Sequence, residues 1–304
     1  MKLIQTDDYQ EGVGQDKTLS CAMPYPPEAL LKGVKRRVGD WLRQSRFQDR
    51  LLRYLRSKGG NRWDHPPEII ERLPGRKVLV LAPHMDDEVI GCGGTLRKMA
   101  DAGKEVSVLF MTDGRKGDAD LKAMTPEAQE KREKALILIR KEEARQAGKI
   151  LGIKSLFFLD AEDSKLQSLP ETQKRVMQIL HEVQPDLLFT PFFMEDHPDH
   201  RATTDILLDA TRDTEPTLTC FAYEVWTPLL PNVLVEITPV AEIKQAALSV
   251  YKSQLKDNDF VRSAFGLNAY RSMAIGGKGF VEAFWSGSLK EFRALSNAYA
   301  GAEP

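Results

Sequence analysis

The 304-residue sequence is poor in cysteine, with only Cys21, Cys92 and Cys220, widely spaced and in no Cys-x-x-Cys pair. An odd, scattered set excludes a disulfide framework and a cysteine-based zinc site, and it fits a reducing compartment. No apolar run approaches the length of a membrane span. The opening residues MKLIQTDDYQ carry no apolar core after Lys2, so no secretory signal is expected. Internal repeats are absent as well. Net charge is nearly absent, at −1 for the whole chain. That argues against a strongly basic nucleic-acid binder and against an acidic disordered chain. What is present is an ordinary globular composition, 42% hydrophobic and 29% charged. The length suffices to bury about three quarters of the unfolded surface, so folding needs no disulfide or metal staple.

The near-neutral total hides an asymmetry. From Lys32 to Arg62 there are eleven Lys and Arg against Asp40 and Asp49, a net of +9. Val38, Trp41, Leu42, Leu51, Leu52 and Leu55 recur there at helical spacing, which predicts a basic amphipathic helix. Two readings of it stay open. It is a solvated cover whose arginine stems pack on apolar surface, or a helix drawn to anionic membrane lipid. Nucleic acid is a weaker third option. The sequence divides into an extension, 1–75, and a domain, 76–304, with Gly59-Gly60 and His65-Pro66-Pro67 between them. A cytoplasmic location is expected, with a peripheral place at the inner membrane surface if the basic helix binds lipid.

The domain alternates strand and helix. Lys77–Ala82 is a continuous apolar run of the kind that makes a parallel strand buried on both faces. Further strands are expected at Glu105–Thr112, Ser155–Leu159, Asp186–Thr190, Ala222–Trp226 and Val233–Ile237. Helices are expected to Ala102, from Pro126 to about Gly148, over Glu171–Val183, from Pro198, and over Pro239–Leu255. The pattern is α/β: a doubly wound, mostly parallel, Rossmann-like sheet with helices on both faces, plus the N-terminal basic helical extension.

Chemistry-bearing residues cluster after the first and fourth of these strands, as His84-Met85-Asp86-Asp87-Glu88 and as Asp196-His197-Pro198-Asp199-His200. If the strand order is 3-2-1-4-5, the two clusters meet at the crevice where the order reverses. Two histidines and one aspartate suit zinc with a fourth position open. Asp86 could then take a proton from water, and the histidine outside the ligand set could stabilise an oxyanion or protonate a leaving group. Blander roles compete. Asp86 could cap a helix, Glu88 could merely favour its dipole, and Asp199 could do the same or orient a histidine. Gly91, Gly93 and Gly94 do not fit the dinucleotide spacing and point to close helix–sheet packing. His65 and His181 read as structural or surface residues. Tyr223, Trp226, Asn268, Tyr270 and Arg271 could line a sugar pocket or serve core and surface.

The two motifs resemble those of the LmbE-like, or PIG-L, family of zinc-dependent N-acetylglucosamine deacetylases. That family's first motif usually reads His-Pro-Asp-Asp-Glu, here with Met85 in place of proline, and its second reads His-Pro-Asp-His, here His197–His200 unchanged. Gly91-Cys92-Gly93-Gly94, Thr112-Asp113-Gly114, Arg140–Ala144 and Leu159–Asp163 also fit, so the resemblance runs from about Arg76 to Trp285. It implies that His84, Asp87 and His200 bind Zn2+, that Asp86 is the general base and that His197 stabilises the oxyanion or assists the leaving amine. Arg140 and Asp163 match positions that hold the sugar. Some members carry a tyrosine, a possible general acid, where this sequence has Glu195. The expected activity is removal of an N-acetyl group from an amino sugar in a glycoconjugate or glycolipid precursor. A metal-dependent phosphoesterase is the enzymatic rival and a non-catalytic carbohydrate-binding protein on the same fold the other.

Overall fold

The computed structural model describes residues 66–213 and 218–300 of the chain. The expected basic helix, Cys21 and His65 lie outside the described residues.

The described part is built on one eight-stranded sheet. In chain order its strands are β1 (Glu68–Ile69), β2 (Lys77–Ala82), β3 (Glu105–Thr112), β4 (Ser155–Ala161), β5 (Leu187–Pro191), β6 (Thr219–Tyr223), β7 (Val233–Glu236) and β8 (Val281–Ser288). Their order across the sheet is β1-β7-β8-β6-β5-β2-β3-β4. Strands β4, β3, β2, β5 and β6 run parallel, and β8 alone is reversed, between β6 and β7. The expected 3-2-1-4-5 order is thus present as β4-β3-β2-β5-β6, with the reversal between β2 and β5. Strand β1 joins the sheet from residues upstream of Arg76 by pairing with β7.

The helices are α1 (Asp87–Asp101), α2 (Pro126–Leu151), α3 (Pro170–Val183), α4 (Pro198–Ala210), α5 (Ala241–Leu248), α6 (Lys252–Leu255), α7 (Phe260–Arg271) and α8 (Leu289–Ala300). Helices α1, α2 and α5 pack together, and α3 pairs with α4 across the sheet from them. The main core lies between sheet and helices and includes Val78, Val80, Val108, Phe110, Leu96 and Leu151. Helix α1 sits unusually close to the sheet. A Cβ on Gly91 would come within 2.3 Å of the Tyr223 ring, and one on Gly94 within 2.7 Å of Ile237. These glycines serve close packing, as their spacing predicts.

Several expectations are corrected. Helix α2 runs past Gly148 and stops at Gly152, whose left-handed φ of 78° makes the cap. The strand expected at Ala222–Trp226 lies three residues earlier, because Thr219–Tyr223 takes the register set by β5. The helix expected over Pro239–Leu255 is broken at Ser249–Tyr251, where the Tyr251 ring turns fully inward. Strand β8 and helices α7 and α8 had no counterpart in the sequence reading. No described helix is long and apolar enough to cross a membrane.

Candidate active site

The carboxyl ends of β2 and β5 deliver the two clusters to one place. After β2 the chain turns through Pro83–Asp86 into α1, and Asp87 opens that helix. After β5 it passes through Phe192–Asp196 to His197, the N-cap of α4. The rings of His84, His197 and His200 stand 4.8 to 5.4 Å apart between centroids.

Asp87 Oδ2 is the hub. It lies 3.2 Å from Nδ1 of His84 and 3.1 Å from Nε2 of His200, and it accepts the His84 backbone N–H at 2.9 Å. Metal ligands on 2.0–2.1 Å tetrahedral bonds are about 3.3–3.4 Å apart, close to these spacings. The other ring nitrogens face carboxylates. His84 Nε2 is 3.2 Å from Asp199 Oδ2 and 3.5 Å from Asp163 Oδ1. His200 Nδ1 is 3.3 Å from Glu195 Oε2. Carboxylates behind metal-binding imidazoles fix ring orientation and tautomer. Both nitrogens of the buried His200 lack a well-directed hydrogen bond. Such an orphaned ring, beside a carboxylate and a second imidazole, fits a bound cation.

The electrostatics agree. Burial works to lower the His84 pKa, but Asp163, Asp199 and Asp87 outweigh it and hold the ring well above its ordinary value. For His200 the same contest, won by Asp87 and Glu195, leaves the pKa at about 9. Burial would raise Asp87, yet His200 and His84 keep it well below the usual carboxylate range. The pocket favours positive charge at this point, and a divalent ion answers that preference. Asp163 and Asp199 also group around His84. Their oxygens, however, already accept the Lys116, Ser164 and Leu166 backbone N–H groups. They read as supports for His84 rather than as a second ion site.

Asp86 occupies the N-cap position but makes no capping bond with its side chain, so the capping role weighed from the sequence does not apply. Its φ of 140° is rare for any residue with a side chain, a strain of about 1–3 kcal/mol that surrounding contacts must hold. Glu88 Oε2 accepts the Asp86 N–H at 3.1 Å, and Tyr251 Oη donates to Glu88 Oε1 at 2.5 Å. Glu88 is fully buried and does more than favour a helix dipole. Arg140 donates to Met85 O at 2.7 Å and stands 3.3 Å from Asp86 Oδ1. Burial lifts Asp86 to about 7 against the pull of Arg140, with Asp87 adding to the rise.

His197 accepts the Asp199 N–H at Nδ1, 3.2 Å away. Its proton therefore sits on Nε2 when the ring is neutral. Burial and the neighbouring histidines lower its pKa, which keeps it neutral. Glu195 is turned away from the pocket. It accepts the backbone N–H groups of Val225, Trp226 and Thr227.

A pocket of about 270 Å³ opens over the cluster, with His84, Asp86, Arg140, Asp163 and His197 in its walls. The expected metal ligands His84, Asp87 and His200, with Asp86, His197, Arg140 and Asp163, all reach this locality. Tyr223 does not reach the pocket: its ring lies against Gly91 of α1 and its hydroxyl donates to Leu81 O of β2. Asn268 and Arg271 are buried and tied to Lys244 and Glu224, respectively. The sequence reading missed Lys116, Asp118 and Gln254 in the rim. For Lys116 and Asp118 the signal was the end of β3, which also delivers its loop to the carboxyl edge of the sheet; Gln254 comes from α6 and had no such signal.

Residues 79–211 match the family described as PIG-L, GlcNAc-PI de-N-acetylase. The chain is 30% identical over 199 residues to a diacetylchitobiose deacetylase of Thermococcus kodakarensis, covering 60% of this chain and 72% of that protein. It is 30% identical over 190 residues to a probable N-acetyl-alpha-D-glucosaminyl L-malate deacetylase 2 of Bacillus cereus, covering 59% and 84%. The structure of an N,N'-diacetylchitobiose deacetylase from Pyrococcus horikoshii superposes with a TM-score of 0.61 at 28% identity, covering 70% of this chain and 84% of that one. The class so defined is a hydrolase of linear amides, an N-deacetylase on a doubly wound sheet. Within it, the chain belongs to the PIG-L, or LmbE-like, family.

Proposed function

We propose that the protein removes the N-acetyl group from an N-acetylated amino sugar, with His84, Asp87 and His200 holding a zinc ion. The observation that carries this is the convergence of His84 Nδ1 and His200 Nε2 on Asp87 Oδ2, each ring backed by a carboxylate. When bound, zinc lowers the pKa of a coordinated water to about 7 and polarises a carbonyl.

The chain's own groups do the rest. Asp86, next to a ligand and lifted towards neutrality, takes the proton of the attacking water as its oxygen bonds to the amide carbon. His197 Nε2–H donates to the carbonyl oxygen as negative charge develops there. Glu195 faces away from the pocket, so the proton carried by Asp86 is the one at hand for the departing nitrogen. Breakage of the C–N bond then yields acetate and the amine. Arg140 steadies Asp86, and Arg140 and Asp163 line the wall where the sugar hydroxyls would lie. The relatives named for acetylated sugars support this choice of substrate.

The test is acetate release from N-acetylglucosamine and its conjugates, before and after chelation and on return of zinc. Zinc-dependent release is expected. A metal-replete protein that binds these sugars but frees no acetate sinks the reading.

A further inference from the structure

The peptide between Met85 and Asp86 is clamped at both ends. Its oxygen, Met85 O, accepts from Arg140 at 2.7 Å, and its N–H donates to Glu88 Oε2 at 3.1 Å. The next peptide is held too, since Asp86 O accepts the Val89 and Ile90 N–H groups at 3.0 and 2.9 Å. Between these two peptides lies the Asp86 φ of 140°. A backbone in that region relaxes unless its surroundings over-determine it. Relaxation of φ re-aims the Cα–Cβ bond within the turn from β2 to α1, and the carboxylate moves with it.

Glu88 is itself set from behind. Tyr251 Oη donates to Glu88 Oε1 at 2.5 Å, so both carboxylate oxygens accept and the plane of the group is fixed. Both side chains are sealed from solvent, and the Tyr251 ring belongs to the main core. The corner that carries Tyr251, between α5 and α6, is tied down by Glu143, which accepts from the Ser253 N–H and hydroxyl at 2.8 and 2.6 Å. Glu143 lies one turn beyond Arg140 on α2. The same helix therefore supplies the clamp on Met85 O and anchors the source of the clamp on the Asp86 N–H. A buried carboxylate is a costly way to fill a core. What Glu88 provides that an apolar side chain could not is an acceptor for the Asp86 N–H.

We propose that Tyr251 is a positioning residue for the reaction: through Glu88, its hydroxyl holds the Asp86 peptide in its strained turn and so aims the general base at the attacking water. The proposal rests on the deacetylase reading above and deepens it. Tyr251 does not line the catalytic pocket, so loss of its hydroxyl should spare substrate binding. Asp87 is held separately, by the His84 N–H and by the rings of His84 and His200, so metal binding should survive as well. The rate of the chemical step is what the hydroxyl governs.

The experiment measures kcat and KM on N-acetylglucosamine and N,N'-diacetylchitobiose, and zinc affinity by competition with a chelator. The proteins are the wild type, Tyr251→Phe, Glu88→Gln, Glu88→Met and the double variant Tyr251→Phe with Glu88→Met. Tyr251→Phe keeps the buried ring and removes only the hydroxyl. It should lower kcat about 10–100-fold, with KM and zinc affinity at wild-type values. Glu88→Gln keeps an acceptor for the Asp86 N–H and an amide N–H for the Tyr251 oxygen, and should retain most of the activity. Glu88→Met should lose at least as much as Tyr251→Phe, and the double variant no more than Glu88→Met alone. The double variant leaves neither altered side chain facing an unmatched polar partner, so it tests the link even if Tyr251→Phe fails to fold. Wild-type kcat in Tyr251→Phe or in the double variant, zinc affinity lost in step with kcat, or losses that multiply in the double variant overturn the positioning role and leave the deacetylase reading intact. No acetate from the zinc-loaded wild type overturns that reading and the role with it.

Discussion

The carboxylate of Glu195 stands 3.3 Å from Nδ1 of His200, with both side chains sealed from solvent. Its oxygens also take the backbone N–H groups of three successive residues in the loop after β6. One buried acid thus orients a candidate metal ligand and fixes the loop that carries Trp226. Glu195→Ala is expected to weaken zinc binding about 10–100-fold, measured by competition with a chelator. Glu195→Gln, which keeps one acceptor oxygen, should recover part of the loss. Unchanged affinity in the alanine variant would show that the contact is incidental.

Asp86→Asn should lower kcat by about 10²–10⁴-fold. Zinc content should stay at the wild-type level, since Asp86 is not in the proposed ligand set. Metal analysis beside single-turnover acetate release separates the two effects. Loss of metal together with activity would make Asp86 a ligand instead.

The pH profile follows from the same residue. Asp86 accepts a proton only as the carboxylate. Burial lifts it to about 7 in the metal-free site, and a neighbouring divalent ion pulls it down again. The value in the working enzyme should lie above the ordinary 3.9 or so and below about 7. Activity then falls as pH drops through that value and is full above it. An acidic limb in kcat/KM at or below the ordinary aspartate value would contradict the assignment.

Gly91→Ala should destabilise the fold by about 1–3 kcal/mol. The added methyl would lie 2.3 Å from a carbon of the Tyr223 ring, which is fully buried and cannot retreat. Thermal unfolding measures this directly. A melting temperature equal to that of the wild type would mean that α1 shifts freely against the sheet.

The basic stretch 32–62 makes a prediction of its own. If it is a membrane-surface helix, deleting residues 1–60 abolishes co-sedimentation with anionic liposomes while hydrolysis of a soluble substrate persists. If it is a cover, solubility suffers instead. Equal liposome binding before and after the deletion excludes the membrane role.

The strands Lys77–Ala82 and Glu105–Thr112 and the start of α4 at Pro198 were legible because their signals are local. A continuous apolar run, or a proline at a first helical position, needs no partner to be recognised. The residues His84, Asp86, Asp87, His197 and His200 were legible for the same reason, as two compact motifs at strand ends. Tertiary structure alone decided the rest. Strand β8, VEAFWSGS, is defined by antiparallel pairing with β6 and β7, which are distant in sequence and make it a strand only once they are in place. The partnership of His84 with Asp199 spans 115 positions, and that of Tyr251 with Glu88 spans 163. Side-chain periodicity cannot encode such pairs. The near-zero net charge likewise carried no hint of the site, because the acids that surround its histidines come from three separate segments, after β2, β4 and β5, and only the fold turns them towards one point.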